Sequence, residues 1–202
     1  MNWQEFTALL ILTLAMSFSP GPNTTLATAL AANHGIRRTL PFICAVPVGW
    51  AALLAVCSLG IGALVLAVPL LGWAVKLVGL AYLLWLAWKI ARSHQLRAAV
   101  APLQVTFWQG AALQFVNIKA WMLALAIVSG WIAGRANPGL RFAVVLGVML
   151  VFAFASNLSY ALAGSLLRDW LAGPAGSGRR LMWFNRAMAA VLVATALWML
   201  FV

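Results

Sequence analysis

Apolar residues gather into six long runs, near 5–32, 40–67, 69–91, 107–133, 140–167 and 182–202, separated by short polar connectors. Each run is long enough to cross about 30 Å of hydrocarbon as a helix, with allowance for tilt. The connectors carry helix breakers: Asn33-His34-Gly35, Pro69 with Gly72, the polar stretch from Ser93 to Pro102, Asn137-Pro138-Gly139, and Gly173-Pro174-Ala175-Gly176-Ser177-Gly178. The pattern predicts an all-α integral membrane protein with six transmembrane helices in a single domain over 1–202.

The first run is interrupted. Pro20-Gly21-Pro22-Asn23 sits in its middle. Pro20 and Pro22 lack the N–H groups that would bond the carbonyls of Met16 and Phe18 in a continuous helix. Unwound backbone at membrane depth persists only where it is buried in protein or lines a cavity, and broken helices of this kind form substrate sites in transporters. The plainer reading is a packing kink.

Composition sharpens the class. The chain is 65% hydrophobic and 7% charged, against about 25% charged for a soluble domain. Its net charge of +11 does not form one patch, as a nucleic-acid-binding surface would require, but is spread over the connectors. Those after the first, third and fifth runs hold Arg37, Arg38, Lys89, Arg92, Arg97, Arg168, Arg179, Arg180 and Arg186; the opposite side holds Lys76, Arg135 and Arg141. The positive-inside rule then places the odd connectors in the cytoplasm and both termini outside. The opening Met1-Asn2-Trp3-Gln4-Glu5 has no basic residue, so the first run is expected to remain as a spanning helix rather than act as a signal peptide. Runs one to three and four to six therefore enter from opposite sides, as two inverted three-helix halves. Asn117-Ile118-Lys119 stands in the fourth run at a depth similar to the break in the first, and corresponding interruptions in two such halves point to a site at their interface.

Lys119 is the one ionisable residue expected deep in a span. A charge there costs at least about 2.5 kcal/mol on insertion scales, and the only carboxylates in the chain, Glu5 and Asp169, lie near helix ends. A transported anion, such as an amino-acid carboxylate, would fill the partner's role. The helix restarting near Pro22 offers a second anion site in the N–H groups of Asn23, Thr24 and Thr25. Ser19, Asn23, Thr24 and Asn117 add neutral groups that can orient a zwitterion, and Gly21 allows close approach of substrate to backbone. In the fifth run Ser156, Ser159 and Tyr160 share one helical face beside Asn157, and that face is expected to point inward. Bland alternatives stand beside these readings: Lys119 leaning towards an interface or bonding backbone carbonyls, and the fifth-run polar set acting as glue between helices. Gly130 and Gly134 read as close-packing positions, and Trp85, Trp88, Trp108 and Trp183 as interface anchors.

Several of these stretches resemble the LysE/RhtB amino-acid exporter family. The likeness rests on Ser19-Pro20-Gly21-Pro22-Asn23 with His34-Gly35-Ile36-Arg37, on Gly79-Leu80-Ala81-Tyr82-Leu83, on Phe107 to Lys119 with Gly110 and Asn117-Ile118-Lys119, and on Asn185-Arg186. It covers essentially the whole chain in order. Tyr82 to Ile90, Ala112 to Asn117 and Ala161-Leu162-Ala163-Gly164 are similar to the cysteine/O-acetylserine exporter branch. The resemblance implies a LysE-like fold and efflux of small amino acids or derivatives across a bacterial inner membrane, driven by the proton gradient, with no cofactor and no metal.

Two positions depart from the family pattern. Ile118 stands where the family usually has proline, so the second break is expected to be mild or absent. Asn157 stands where many relatives carry an acid, which removes a mid-membrane carboxylate as proton carrier and leaves either Lys119 as the candidate or substrate efflux without strict proton exchange. The expected substrate-binding set is Ser19, Gly21, Asn23, Thr24, Asn117, Lys119 and Asn157, with Pro20 and Pro22 forming the break. The expected partners are a small zwitterionic amino acid, membrane lipid and protons, and no nucleic acid; a homodimer is allowed but no interface is assigned. Two other classes compete. A membrane thiol-redox carrier needs cysteines that meet, whereas Cys44 and Cys57 are 13 positions apart in one predicted helix, roughly 20 Å at 1.5 Å per residue and beyond the ~7 Å a disulfide tolerates. A non-transporting membrane scaffold would depend on neither Lys119 nor the Pro-Gly-Pro break.

Overall fold

A computed structural model describes residues 1–93, 105–173 and 178–201. The connector from 94 to 102, including Arg97, and Pro174 to Ser177 lie outside the described residues, as does Val202. The described residues form helices α1 (Trp3–Phe18), α2 (Pro22–His34), α3 (Ile36–Ser58), α4 (Ile61–Ala67), α5 (Pro69–Ala91), α6 (Phe107–Val116), α7 (Ile118–Ile127), α8 (Pro138–Leu166), α9 (Arg168–Ala172) and α10 (Arg179–Trp198). A π-helical turn, Val128–Ile132, continues α7.

Among them α3, α5, α8 and α10 are each long and apolar enough to cross a membrane, and α6 with α7 and its π turn makes a fifth if that bent pair is one span. The first predicted run divides into α1, 16 residues, and α2, 13 residues, so neither piece reaches the length of a full span. The second run ends early. Gly60, at φ 88°, closes α3, and α4 begins after it.

Ten of the 13 residues of α2 are buried, though the helix is rich in alanine and threonine rather than leucine. Small side chains let neighbouring backbones come close, which is how helices associate where lipid supplies no hydrophobic drive. α2 runs through the middle of the bundle against α8, α3 and α10. Leu26, Leu30, Phe42, Ile43, Leu83, Leu86 and Leu192 form one core around it; Leu9, Trp50, Leu53, Trp121, Ile127, Val145 and Met149 form a second.

Three glycines seat backbone directly on backbone. A Cβ at Gly49 would stand 2.2 Å from the Ala111 carbonyl oxygen, at Gly79 2.1 Å from that of Val116, and at Gly164 2.2 Å from that of Thr28. Gly130 and Gly134, expected to be close-packing positions, are not: a Cβ at either meets nothing within 4 Å. They lie in and just after the π turn, where Gly134 adopts φ 67°.

The two ends of the bundle are chemically distinct. At one, Glu5 caps α1 with Asn2 and meets Arg141 at 3.1 Å and Arg135 at 3.5 Å. At the other, the amides of Asn33 and Asn185 bond each other reciprocally at 2.8 and 3.0 Å, and Ser93 joins them through its hydroxyl and carbonyl. α1 thus begins at the Glu5 end and α2 finishes at the Asn33 end. The tryptophans read as anchors are exposed, Trp108 and Trp183 most of all, and Lys89, Arg92 and Arg186 lie over the rings of Trp85, Trp88 and Trp183.

Candidate substrate site

Between α1 and α2 the chain is fully unwound. Ser19 and Gly21 are extended, Gly21 at φ −173° and ψ −175°, and Pro22 opens α2. The carbonyls that the prolines orphan are both satisfied. The Ser19 hydroxyl donates to Met16 O at 3.0 Å, and the Tyr160 phenol reaches from α8 to Phe18 O at 2.8 Å. The Lys119 ammonium donates to Ser19 O at 2.9 Å and to Ser19 Oγ at 2.7 Å. Thr24 closes the turn locally, accepting from Gly21 N–H at 3.0 Å and donating to Gly21 O at 3.1 Å. One expected donor drops out: the Thr25 N–H bonds Gly21 O at 3.0 Å as the first turn of α2, so the N–H groups of Asn23 and Thr24 remain as the first-turn donors.

The second break is sharp, against the expectation that Ile118 would leave it mild or absent. α6 and α7 diverge by 68°, with Asn117 extended between them at φ −97° and ψ 99°. Partners elsewhere replace proline as the cause. The Trp121 indole takes the Phe115 carbonyl at 2.8 Å, and Asn117 O begins α7 by accepting from Ala120 and Trp121. The Val116 carbonyl lies against Gly79 of α5.

A cavity of about 60 Å³ lies where these breaks meet. Ser19, Gly21, Asn23 and Thr24 line it from the first break, Asn117 and Lys119 from the second, and Asn157 from α8, so all seven expected residues face one space. Pro22 also lines it, whereas Pro20 does not. Trp50, Val46, Leu123 and Met149 supply apolar wall. Lys119 is half-buried, and no Asp or Glu lines the cavity.

The expected set needs two adjustments. Asn23 already has a partner: its amide and that of Gln114 bond reciprocally at 2.9 and 3.1 Å, and Gln114, fully buried, also reaches back to Gly110 O. Gln114 thereby ties α6 to the start of α2. Its signal in the sequence is a lone amide inside the apolar run from Ala111 to Val116. Ser159, expected to point inward, is exposed and bonds its own Ala155 carbonyl, because it lies past the edge of the buried face of α8, which turns from Ser156 towards Asn157 and Gly164. Asn157 and Asn117 each keep a buried Oδ1 with no hydrogen-bond partner.

The remaining chemistry is spare. Cys44, exposed, and Cys57, buried, are both free and both on α3. Among the described residues no group of three or more His, Cys, Asp or Glu side chains is placed to hold a metal. The cavity thus offers one cationic donor, first-turn N–H groups and several neutral oxygens: equipment for binding a small polar solute.

Residues 14–201 match the family model described as LysE type translocator. The chain belongs to that family. It is a multi-pass membrane transporter, not an enzyme. It is 31% identical over 194 residues to a cysteine/O-acetylserine efflux protein of Klebsiella pneumoniae, covering 94% of each chain. It is 33% identical to a protein of the same name from Salmonella paratyphi A, and 32% identical to one from Escherichia coli, in both cases over 77% of this chain and 80% of the relative. No solved structure matches the translocator.

Proposed function

We propose that this translocator exports small neutral amino acids or their derivatives, of the cysteine and O-acetylserine kind, across the bacterial inner membrane. The observation that carries this reading is the meeting of two helix breaks and a membrane-depth lysine at one cavity that no carboxylate lines. Lys119 and the first-turn N–H groups of α2 receive the substrate carboxylate. A volume of about 60 Å³ equals roughly four to six waters, a scale that suits a small amino acid. The named relatives support the substrate class.

In this reading α1 and α2 together make one crossing. The six crossings then form two inverted halves that rock about the cavity. Support comes from the ends: Glu5 stands with Arg135 and Arg141, while Asn33 stands with Ser93 and Asn185. The bias of basic residues towards the Asn33 end supports a cytoplasmic location for that end and a periplasmic one for both termini. Export is coupled to protons, with Lys119 as the carrier.

The test is efflux from vesicles containing the purified protein, preloaded with cysteine, O-acetylserine, threonine or homoserine, with and without an imposed pH gradient. Export of at least one of them, accelerated by the gradient, is expected. No efflux of any would end the substrate assignment; efflux indifferent to the gradient would end the coupling.

A further inference from the structure

Lys119 accounts for the carboxylate of a zwitterion and leaves its ammonium without a counterpart, since the cavity holds no acid. Three residues that line the cavity, Asn117, Ser156 and Asn157, carry oxygens that can supply one. Asn117 is 3% exposed and Asn157 2% exposed, and the Oδ1 of each is buried without a partner. The orientation of Asn157 is fixed, because its Nδ2 donates to Ala153 O at 2.8 Å and so commits Oδ1 to the other side. Ser156, 1% exposed and also on the wall, donates its proton to Ala153 O at 3.2 Å, which leaves its lone pairs to accept. A buried acceptor left unmet is strongly unfavourable, and here two residues that carry one line the same cavity, with Ser156 beside them.

We propose that Asn117 Oδ1, Asn157 Oδ1 and Ser156 Oγ form a recognition site for a primary ammonium group. The proposal rests on the amino-acid export reading and deepens it: the transported species must carry a free, protonated amine. Three acceptors match the three N–H donors of R–NH3⁺. A site whose buried polar groups need a partner rejects an analogue that lacks it far more strongly than an apolar pocket rejects a missing methylene. Neutral oxygens suit this role in a chain whose cavity already holds a cation. They stabilise the ammonium by charge-assisted bonds without adding a carboxylate that would pair with Lys119 and compete with the substrate's own.

The test compares matched pairs that differ only in the amine: cysteine with 3-mercaptopropionate, and O-acetylserine with 3-acetoxypropionate. Each competes against labelled amino acid for binding to the purified, reconstituted protein under reducing conditions. The amine-bearing member should bind at least about 100-fold more tightly, the lower bound for losing two of the three charge-assisted hydrogen bonds. In Asn157→Leu, and separately in Asn117→Leu, that ratio should fall by about tenfold. The fall should come from weaker amino-acid binding while the deaminated acid binds as before, and its retained binding shows that each variant is folded. Equal binding of both members by the unaltered protein would overturn the proposal, whatever the variants do. So would an unchanged ratio in both variants, which would mean that the amide oxygens are met by water alone. If neither member of either pair binds, the export reading itself fails and this site with it. If Lys119→Ala weakens both members equally while the ratio survives, carboxylate and ammonium recognition are separate, as proposed.

Discussion

The ammonium of Lys119 lies 2.7 Å from the hydroxyl of Ser19 and 2.9 Å from its carbonyl, so a single side chain spans from one helix break to the other. The bond answers two needs at once. An unwound carbonyl at membrane depth gains a donor, and a lysine with no carboxylate beside it gains acceptors. In the proposed export cycle it also sets the competition that a substrate carboxylate must win.

Lys119→Ala should therefore reduce export by on the order of 100-fold or more, the loss of charge-assisted bonds worth ~1.5–3 kcal/mol each. Protein level in the membrane should stay near normal, because the change also removes an ion that costs ~2.5–3.5 kcal/mol to insert. Vesicle efflux beside an immunoblot of the membrane fraction measures both. Full export by the variant would remove Lys119 from the transport cycle.

Gly21 is the tight point opposite. A Cβ there would stand 3.3 Å from Lys119 Nζ and 3.4 Å from its Cδ. Its backbone is extended, so any residue could adopt it without strain; the consequence of substitution falls on the lysine. Gly21→Ala should lower export by displacing the ammonium, and Gly21→Leu should block it, with little change in melting temperature in detergent. Unaltered flux in Gly21→Leu would reduce the break to a plain kink.

Gln114 and Asn23 stand or fall together. Gln114→Leu leaves the Asn23 amide without its reciprocal partner and should cost ~1–3 kcal/mol, or about 2–4 °C in melting temperature per kcal/mol. Adding Asn23→Leu should recover part of that loss, since replacing both partners is milder than stranding one. A double variant no more stable than Gln114→Leu would show that the pair does not act as a unit.

Two hydroxyls on consecutive residues of α8 should behave oppositely. Tyr160→Phe strands the Phe18 carbonyl at the first break and should lower stability by ~1–3 kcal/mol. Ser159→Ala removes only a bond to its own helix from an exposed side chain and should leave both stability and export unchanged. Thermal unfolding of the two variants side by side decides this.

What could be read from the chain depended on how local the cause was. Pro20 and Pro22 announce the first break, and the orphaned carbonyls of Met16 and Phe18 follow from bond counting. The groups that rescue them do not, because Tyr160 is 142 positions from Phe18 and meets it only in the folded bundle. Asn117 was legible as a polar position in an apolar run, but its break was underestimated. There the bend arises from the Trp121 indole and the notch at Gly79 rather than from a missing N–H. Ser159 was misread for a related reason: i, i+3 spacing puts it near Ser156, yet the buried face of α8 runs through Ser156, Asn157 and Gly164 instead. The same limit hid Gly49, Gly79 and Gly164, whose neighbours lie on other helices, while Gly130 and Gly134 had the spacing without the neighbours.

Those three glycine notches also bear on how the molecule can move. A carbonyl lodged in a notch meets the next residue's Cβ if its helix slips along the axis, so shear between α6 and α3, α6 and α5, or α2 and α8 is sterically barred. Rotation is left to the places where one helix ends and the next begins, Ser19 to Gly21 and Asn117. In the proposed rocking cycle the hinges and the walls of the cavity would then be the same few residues, and a solute that touches them would act directly on the joints about which the bundle swings.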